Sequence, residues 1–190
     1  GSIQKFILGS SATSKGVAKS LRGRSFLVST FSDLIALEIL HQLRLPATHL
    51  LMNAGSHFLL LLPHSGETLK ALDGMKRTAH EWILEQRNGE LSFQLAWIPL
   101  SEKQLEKDFP GQLGLLHGRL ESEKYSGLDP LRGKTGWHSD RWLRPGFLGN
   151  NQDLCSACKI NPAVATSRSD DSDRFCTDCS DVRHIGGQLV

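Results

Sequence analysis

The chain has 190 residues, with 22 Lys+Arg against 20 Asp+Glu and 39% hydrophobic residues. That balance allows one generous core plus an appendage, and it excludes wholesale disorder, a uniformly basic nucleic-acid coat and a strongly acidic tail. The longest apolar run, Phe58 to Leu62, has the length of a strand, so neither a transmembrane helix nor a secretory leader is expected.

Ile3 to Leu8 reads as a short strand, and Ser10 to Lys15 as a flexible Ser/Thr/Gly loop. The stretch Gly9 to Gly16 superficially resembles a phosphate loop. It fails the pattern, because Ser14 stands where the second glycine belongs and Gly16 where Ser or Thr should hold Mg²⁺. Arg24 to Leu43 is expected to form a long helix with Leu27, Phe31, Leu34 and Ile35 on one face, stopped by Pro46. Thr48–Asn53 and His57–Leu62 read as a β-hairpin around Ala54-Gly55-Ser56.

Glu67 to Arg87 follows as an amphipathic helix that buries Leu72, Met75, Ala79 and Ile83 and stops at Asn88-Gly89. Leu91 to Ile98 alternates as a fourth strand. Ser101 with Gln104 forms a capping box that opens a third helix running to about Tyr125. The expected fold class is α+β. It is a ferredoxin-like body of order βαββαβ, an antiparallel sheet with helices on one face, followed by a small four-cysteine zinc ribbon. The expected divisions are 1–126 for this body with its appended helix, 127–152 for an irregular connector and 153–190 for the zinc element.

All four cysteines fall in that last segment. Cys155 and Cys158 form one C-x2-C knuckle, and Cys176 and Cys179 a second, seventeen residues later. Two such knuckles can aim four thiolates at one ion with sulfur–metal distances of about 2.3 Å, at a ribbon-type spacing. Four cysteines leave no open position, so the expected zinc is structural. Disulfides and a thioredoxin-type redox pair are the weaker readings. His184, close by, reads as a surface residue.

No nucleophile elbow, paired-histidine metal motif or cysteine outside the ribbon suggests a catalytic centre, so no catalytic residues are expected. Arg132, Lys134, His138, Arg141 and Arg144, interleaved with Trp137 and Trp142, have the make-up of an RNA contact. Two tryptophans packing on the core is the preferred reading.

The segments SIQKFILGSS, KSLRGRSFLVSTFSDLIALEIL and HLLMNAGSHFLLLLP, followed by the C-x2-C pair, closely resemble the large, palm-containing subunit of type III-A CRISPR interference complexes. The resemblance covers nearly the whole chain and is weakest over residues 126–152. It implies a first palm and the zinc element of a longer subunit that also has an HD nuclease domain and a second palm. In that family the two palms bind two ATP molecules, and the second palm makes cyclic oligoadenylate. ATP and Mg²⁺ or Mn²⁺ are therefore cofactors expected of the parent protein. The implied partners are the second palm of the same chain, other effector subunits and, indirectly, guide and target RNA; the implied location is cytoplasmic. Gly1-Ser2 reads as a cloning remnant, and the chain as an excised piece.

A competent palm needs carboxylates to hold two metal ions about 4 Å apart. Ile3 to Leu8 has none, and the hairpin reads Asn53-Ala54-Gly55-Ser56-His57. The palm is therefore expected to be non-catalytic while still gripping a nucleotide. Gly55 would allow close backbone approach, Asn53 and Ser56 would offer hydrogen bonds, and His57 would stack or donate. Arg24 and Ser25 would hold a phosphate at the start of the long helix. Leu21, Phe26 and Phe58 are expected only to close the fold. The rival reading is a structural or RNA-binding scaffold of a ribonucleoprotein. A diguanylate-type cyclase is disfavoured by the missing carboxylates.

Overall fold

The computed structural model describes residues 6–8, 16–87, 90–126, 154–164 and 174–189. Its elements are helix α1 (Val17–Gln42), a 3-10 turn (Ala47–His49), strands β1 (Leu50–Ala54) and β2 (His57–Leu60), and helices α2 (Gly66–Arg87), α3 (Glu102–Lys107), α4 (Phe109–Ser126) and α5 (Thr177–Gln188). The described residues fall into two compact units. One holds residues up to 33, Ala54–His57 and those from 154 onward; the other holds Leu34–Asn53 and the described residues from Phe58 to 126.

Helix α1 begins seven residues before the expected start and ends one before the expected stop. The buried side also differs. Gly23, Arg24, Val28, Ser32, Ile35, Ala36, Ile39 and Leu40 are buried, whereas Leu34 is 60% exposed. Apolar Phe26, Leu34 and Leu37 also lie on its exposed side, so spacing alone did not select the buried face.

The C-terminus of α1 is closed by a Schellman motif. Leu45 N–H donates to Leu40 O and Arg44 N–H to His41 O, with Arg44 at φ 53°. A non-glycine residue in that left-handed conformation costs roughly 1–2 kcal/mol. Arg44→Gly removes that strain at the position where glycine is favoured. It is expected to raise the melting temperature by about 2 °C, measured by circular dichroism. An unchanged or lower value would contradict the assignment.

The hairpin is present, with strands shorter than expected. Gly55, at φ 64°, occupies the first central position of the two-residue turn, the glycine site of a type II′ turn. His49 Nδ1 lies 2.6 Å from Leu61 O where the strands open. Leu51 and Met52 remain 47% and 45% exposed, so β1 packs little of its own surface.

Helix α2 buries Leu72, Met75, Ala79 and Ile83, as the periodicity requires, together with Thr68 and His80. Ser65 Oγ caps it by accepting from Thr68 N–H at 3.1 Å. The expected stop at Asn88-Gly89 lies outside the described residues.

Two strand expectations do not hold among the described residues. Phe6–Leu8 is helical, while Ile3 to Lys5 lies outside the described residues. Leu91–Ile98 is irregular, and the described sheet has two strands rather than four. Alternation measures half-burial and not pairing, and Leu91–Ile98 makes side-chain contacts among the described residues. Phe93 meets the edge of His80 at 6.3 Å, and Arg119 lies 6.0 Å over Trp97.

The Ser101 capping box is present, with Gln104 N–H donating to Ser101 Oγ and Ser101 N–H to Gln104 Oε1. The single expected helix is two, broken at Asp108. Pro110 explains the break: it has no N–H to donate and its ring would strike the carbonyl one turn back. Asp108 then receives Gln112 N–H on its carbonyl and the Gln112 amide on its carboxylate, each at 3.0 Å. Lys76 of α2 pairs with Glu123 of α4. Among the described residues, no helix is long and apolar enough to cross a membrane.

Candidate metal centre and its anchor

The four cysteines converge, with their sulfurs all within 4.8 Å of one another. The first knuckle follows a one-residue bridge between Leu154 and Pro162. Cys155 N–H donates to Asn161 O and Lys159 N–H to Cys155 O. Lys159 sits at φ 59°, which turns the chain so that Ile160 N–H reaches Cys158 Sγ at 3.5 Å. The second knuckle is a helix start. Cys176 is the N-cap of α5 and Cys179 lies in its first turn, where the helix dipole favours negative sulfur.

The donor set suits a soft tetrahedral cation. With sulfur–zinc bonds of about 2.3 Å, a regular tetrahedron has edges of about 3.8 Å. Cys158 Sγ and Cys176 Sγ are 3.9 Å apart. All four cysteines are free thiols, and Cys155, Cys176 and Cys179 are buried. Ala157, Cys158 and Phe175 pack around them.

Without a cation the cluster divides its protons unequally. The S–H groups of Cys158, Cys176 and Cys179 converge on Cys155 and hold it far below the ordinary thiol range. At Cys158 the Cys155 sulfur raises the pKa, but donation from Cys176 and Cys179 outweighs it and brings the thiol to about 6. Cys176 and Cys179 are pushed up, first by sharing their protons with Cys155. A divalent ion removes the conflict by accepting four thiolates.

Helix α5 lies against the first turns of α1, held by two glycines. A Cβ on Gly186 would fall 1.8 Å from Lys19 O, and one on Gly23 would fall 1.9 Å from Val182 O. Arg22 Nε donates to Gly186 O at 3.0 Å. Arg183 reaches Ser20 Oγ at 3.4 Å and covers the Phe175 ring at 4.2 Å. Arg24 is 5% exposed. Its guanidinium donates to Phe6 O, lies 4.9 Å over the Phe6 ring and reaches Cys179 Sγ at 3.9 Å.

This arrangement changes the basis for two expected nucleotide contacts. Arg24 and Ser25 do not start α1; they lie seven and eight residues past its first residue, Val17, where no free amides or dipole end await a phosphate. Arg24 points inward, and Ser25 is exposed. The hairpin residues are together at the tip: Ser56 Oγ is 3.0 Å from His57 Nδ1, and a Cβ on Gly55 would meet open space. Asn53 and His57 are exposed. His184 is exposed, as expected. The cluster Arg132, Lys134, Trp137, His138, Arg141, Trp142 and Arg144 lies outside the described residues, as does most of the Gly9 to Gly16 loop.

Sequence reasoning missed the role of Gly23. A glycine inside a helical pattern costs about 1 kcal/mol against alanine, so its presence between two arginines was a signal of close packing.

The family model for Csm1 subunit domain B matches residues 1–129. The chain is 26% identical, over 98% of its length, to a Thermococcus onnurineus protein described as a CRISPR system single-strand-specific deoxyribonuclease Cas10/Csm1 of subtype III-A. It covers 24% of that relative. A Mycobacterium tuberculosis protein of the same description is 32% identical over 54% of this chain and 12% of its own. The crystal structure of a Csm1-Csm4 cassette in complex with AMPPNP superposes with a TM-score of 0.64 at 26% identity, covering 70% of this chain and 19% of that one. The chain thus spans about a quarter or less of the proteins it matches.

Proposed function

We infer the function from the premise that this chain belongs to the Csm1 subunit domain B family. It acts as the non-catalytic palm of a type III-A CRISPR effector subunit and supplies one side of a composite ATP site used for cyclic oligoadenylate synthesis. The observation that carries this reading is the hairpin tip. Asn53 to His57 turns through Gly55 with no carboxylate on either strand, and the tip presents open backbone and polar side chains. Two-metal phosphoryl transfer requires such carboxylates, so the catalytic Mg²⁺ or Mn²⁺ belongs to a second palm of the parent chain. The similarity to a cassette that holds AMPPNP supports a nucleotide beside this hairpin. The proposed contacts are Asn53, Gly55, Ser56 and His57, with the exposed Ser25 hydroxyl. Arg24, turned inward, has a different task described below.

The four cysteines hold one structural zinc in this reading. The ion supplies folding free energy to a short segment that has little core of its own. The partners are the second palm and, by similarity to the Csm1-Csm4 structures, a Csm4-type subunit.

Two measurements test the nucleotide role. Incubated with ATP and Mg²⁺ or Mn²⁺, the chain is expected to yield no cyclic oligoadenylate; product would overturn the non-catalytic assignment. In the full-length parent, Ser56→Ala is expected to slow synthesis roughly two- to tenfold, the cost of one hydrogen bond. Unchanged synthesis would remove the hairpin from the ATP site.

A further inference from the structure

Arg24 is a buried cation, and among the described residues no carboxylate pairs with it. Arginine stays charged at any pH a folded protein meets, and a buried charge needs a partner. Its contacts are a carbonyl, an aromatic face and one sulfur, Cys179 Sγ at 3.9 Å. The cysteine cluster has the complementary problem. Four thiolates on one divalent ion carry a net charge of −2 in a largely buried site. The neutral donors around it, Ile160 N–H on Cys158 and the Asn161 amide on Cys176 at 3.8 Å, leave that charge in place.

We propose that Arg24 is the outer-shell charge partner of the metal centre, so that metal loading and the docking of α5 on α1 are one coupled event. The inference rests on the metal reading above and adds a residue to it. The guanidinium has two ends. Nη2 points at Cys179 Sγ, and Nη1 holds the Phe6 carbonyl. An ion at the four sulfurs therefore tightens Arg24, and Arg24 tightens the segment at Phe6. Loss of the ion releases the four sulfurs from a common centre, so Nη2 loses a fixed partner at Cys179. The LRGR motif then has a physical account: Gly23 admits the α5 backbone, Arg22 binds the Gly186 carbonyl, and Arg24 reads the charge of the centre.

The test uses the whole chain loaded with zinc or cobalt(II). Wild type is expected to take up one cobalt(II) with the charge-transfer bands of a tetrathiolate site. Absence of those bands overturns the metal reading and this inference together. Arg24→Met is expected to lower zinc affinity 10- to 100-fold, the range for loss of an outer-shell partner, measured by chelator competition. Metal removal is expected to speed amide hydrogen exchange at Phe6–Leu8 in wild type, and to change it much less in Arg24→Met. Zinc affinity within twofold of wild type, or metal-dependent protection at Phe6–Leu8 that survives the substitution, overturns the inference while leaving the metal reading intact. If Arg24→Met does not fold, Arg24→Lys decides. Its single ammonium keeps the charge but cannot span both partners, so affinity should fall several-fold and recover no further with salt. Unchanged affinity in Arg24→Lys would overturn the inference.

Discussion

Cys176→Ser is expected to abolish tight zinc binding and to release α5 from α1. Cys176 is one of the four clustered sulfurs and also the N-cap of α5, so one change removes a proposed ligand at the helix start. Structural zinc in small domains contributes about 10–16 kcal/mol at neutral pH, far more than the local contacts of so short a segment can replace. Chelation of wild type should give the same result: loss of helix signal from α5 and faster hydrogen exchange at the Gly23 and Gly186 amides. The pH dependence follows from the metal-free cluster. Cys155 is already depressed and Cys158 lies near 6, whereas Cys176 and Cys179 are raised and keep their protons through neutral pH. Metal must expel those protons, so affinity falls as pH falls. Between pH 7 and 8 two protons leave, a change of about 100-fold in apparent affinity per pH unit. Below pH 6 Cys158 adds a third proton and the dependence steepens. Competition with a chelator across pH 5.5–8.5 (~3 units, chosen to bracket the thiol range) reads the slope. A slope near zero would contradict the four-thiolate site.

The second large effect is steric. Gly186→Ala would place a methyl group 1.8 Å from Lys19 O and 2.8 Å from Gly23 N, both backbone atoms. No rotamer change can relieve that overlap, so the two helices must separate. Overpacking typically costs about 1–3 kcal/mol, and loss of the Arg22 bond to Gly186 O adds to it. Gly23→Ala meets Val182 O at 1.9 Å and should behave alike. The control is one residue away: a Cβ on Gly187 meets only the flexible end of Lys19, at 3.8 Å. Gly187→Ala should therefore be neutral or stabilising by roughly 0.5–1 kcal/mol, because alanine favours the helix. Equal melting temperatures for the Gly186 and Gly187 variants would rule out the close helix contact. Metal content should stay at one ion in all three, since none touches a sulfur. That separates docking from ligation.

The hairpin, the α2 stripe and the Ser101 cap were legible because each is a short-range pattern. The α3–α4 break was also legible in principle, from Pro110 alone. Among the described residues the strand expectations do not hold, for a different reason. Leu91–Ile98 has a strand's alternation, but alternation reports which side chains are half-buried and carries no information about ladder register.

The sequence alone determined the four-cysteine cluster, since C-x2-C spacing is local geometry and two copies suffice to name a candidate four-sulfur site. It also determined that the hairpin lacks the carboxylates for metal chemistry. Only the tertiary structure decided what the arginines do. Arg24 has the composition of a phosphate ligand, and its use as an inward partner of Cys179 depends on residues 155 positions away. The same holds for Gly23, whose value lies in the absence of a side chain facing another helix's carbonyl. Periodicity reports which side of a helix is apolar. It cannot report where a distant backbone will arrive, and that arrival sets which charges are buried and which glycines are indispensable.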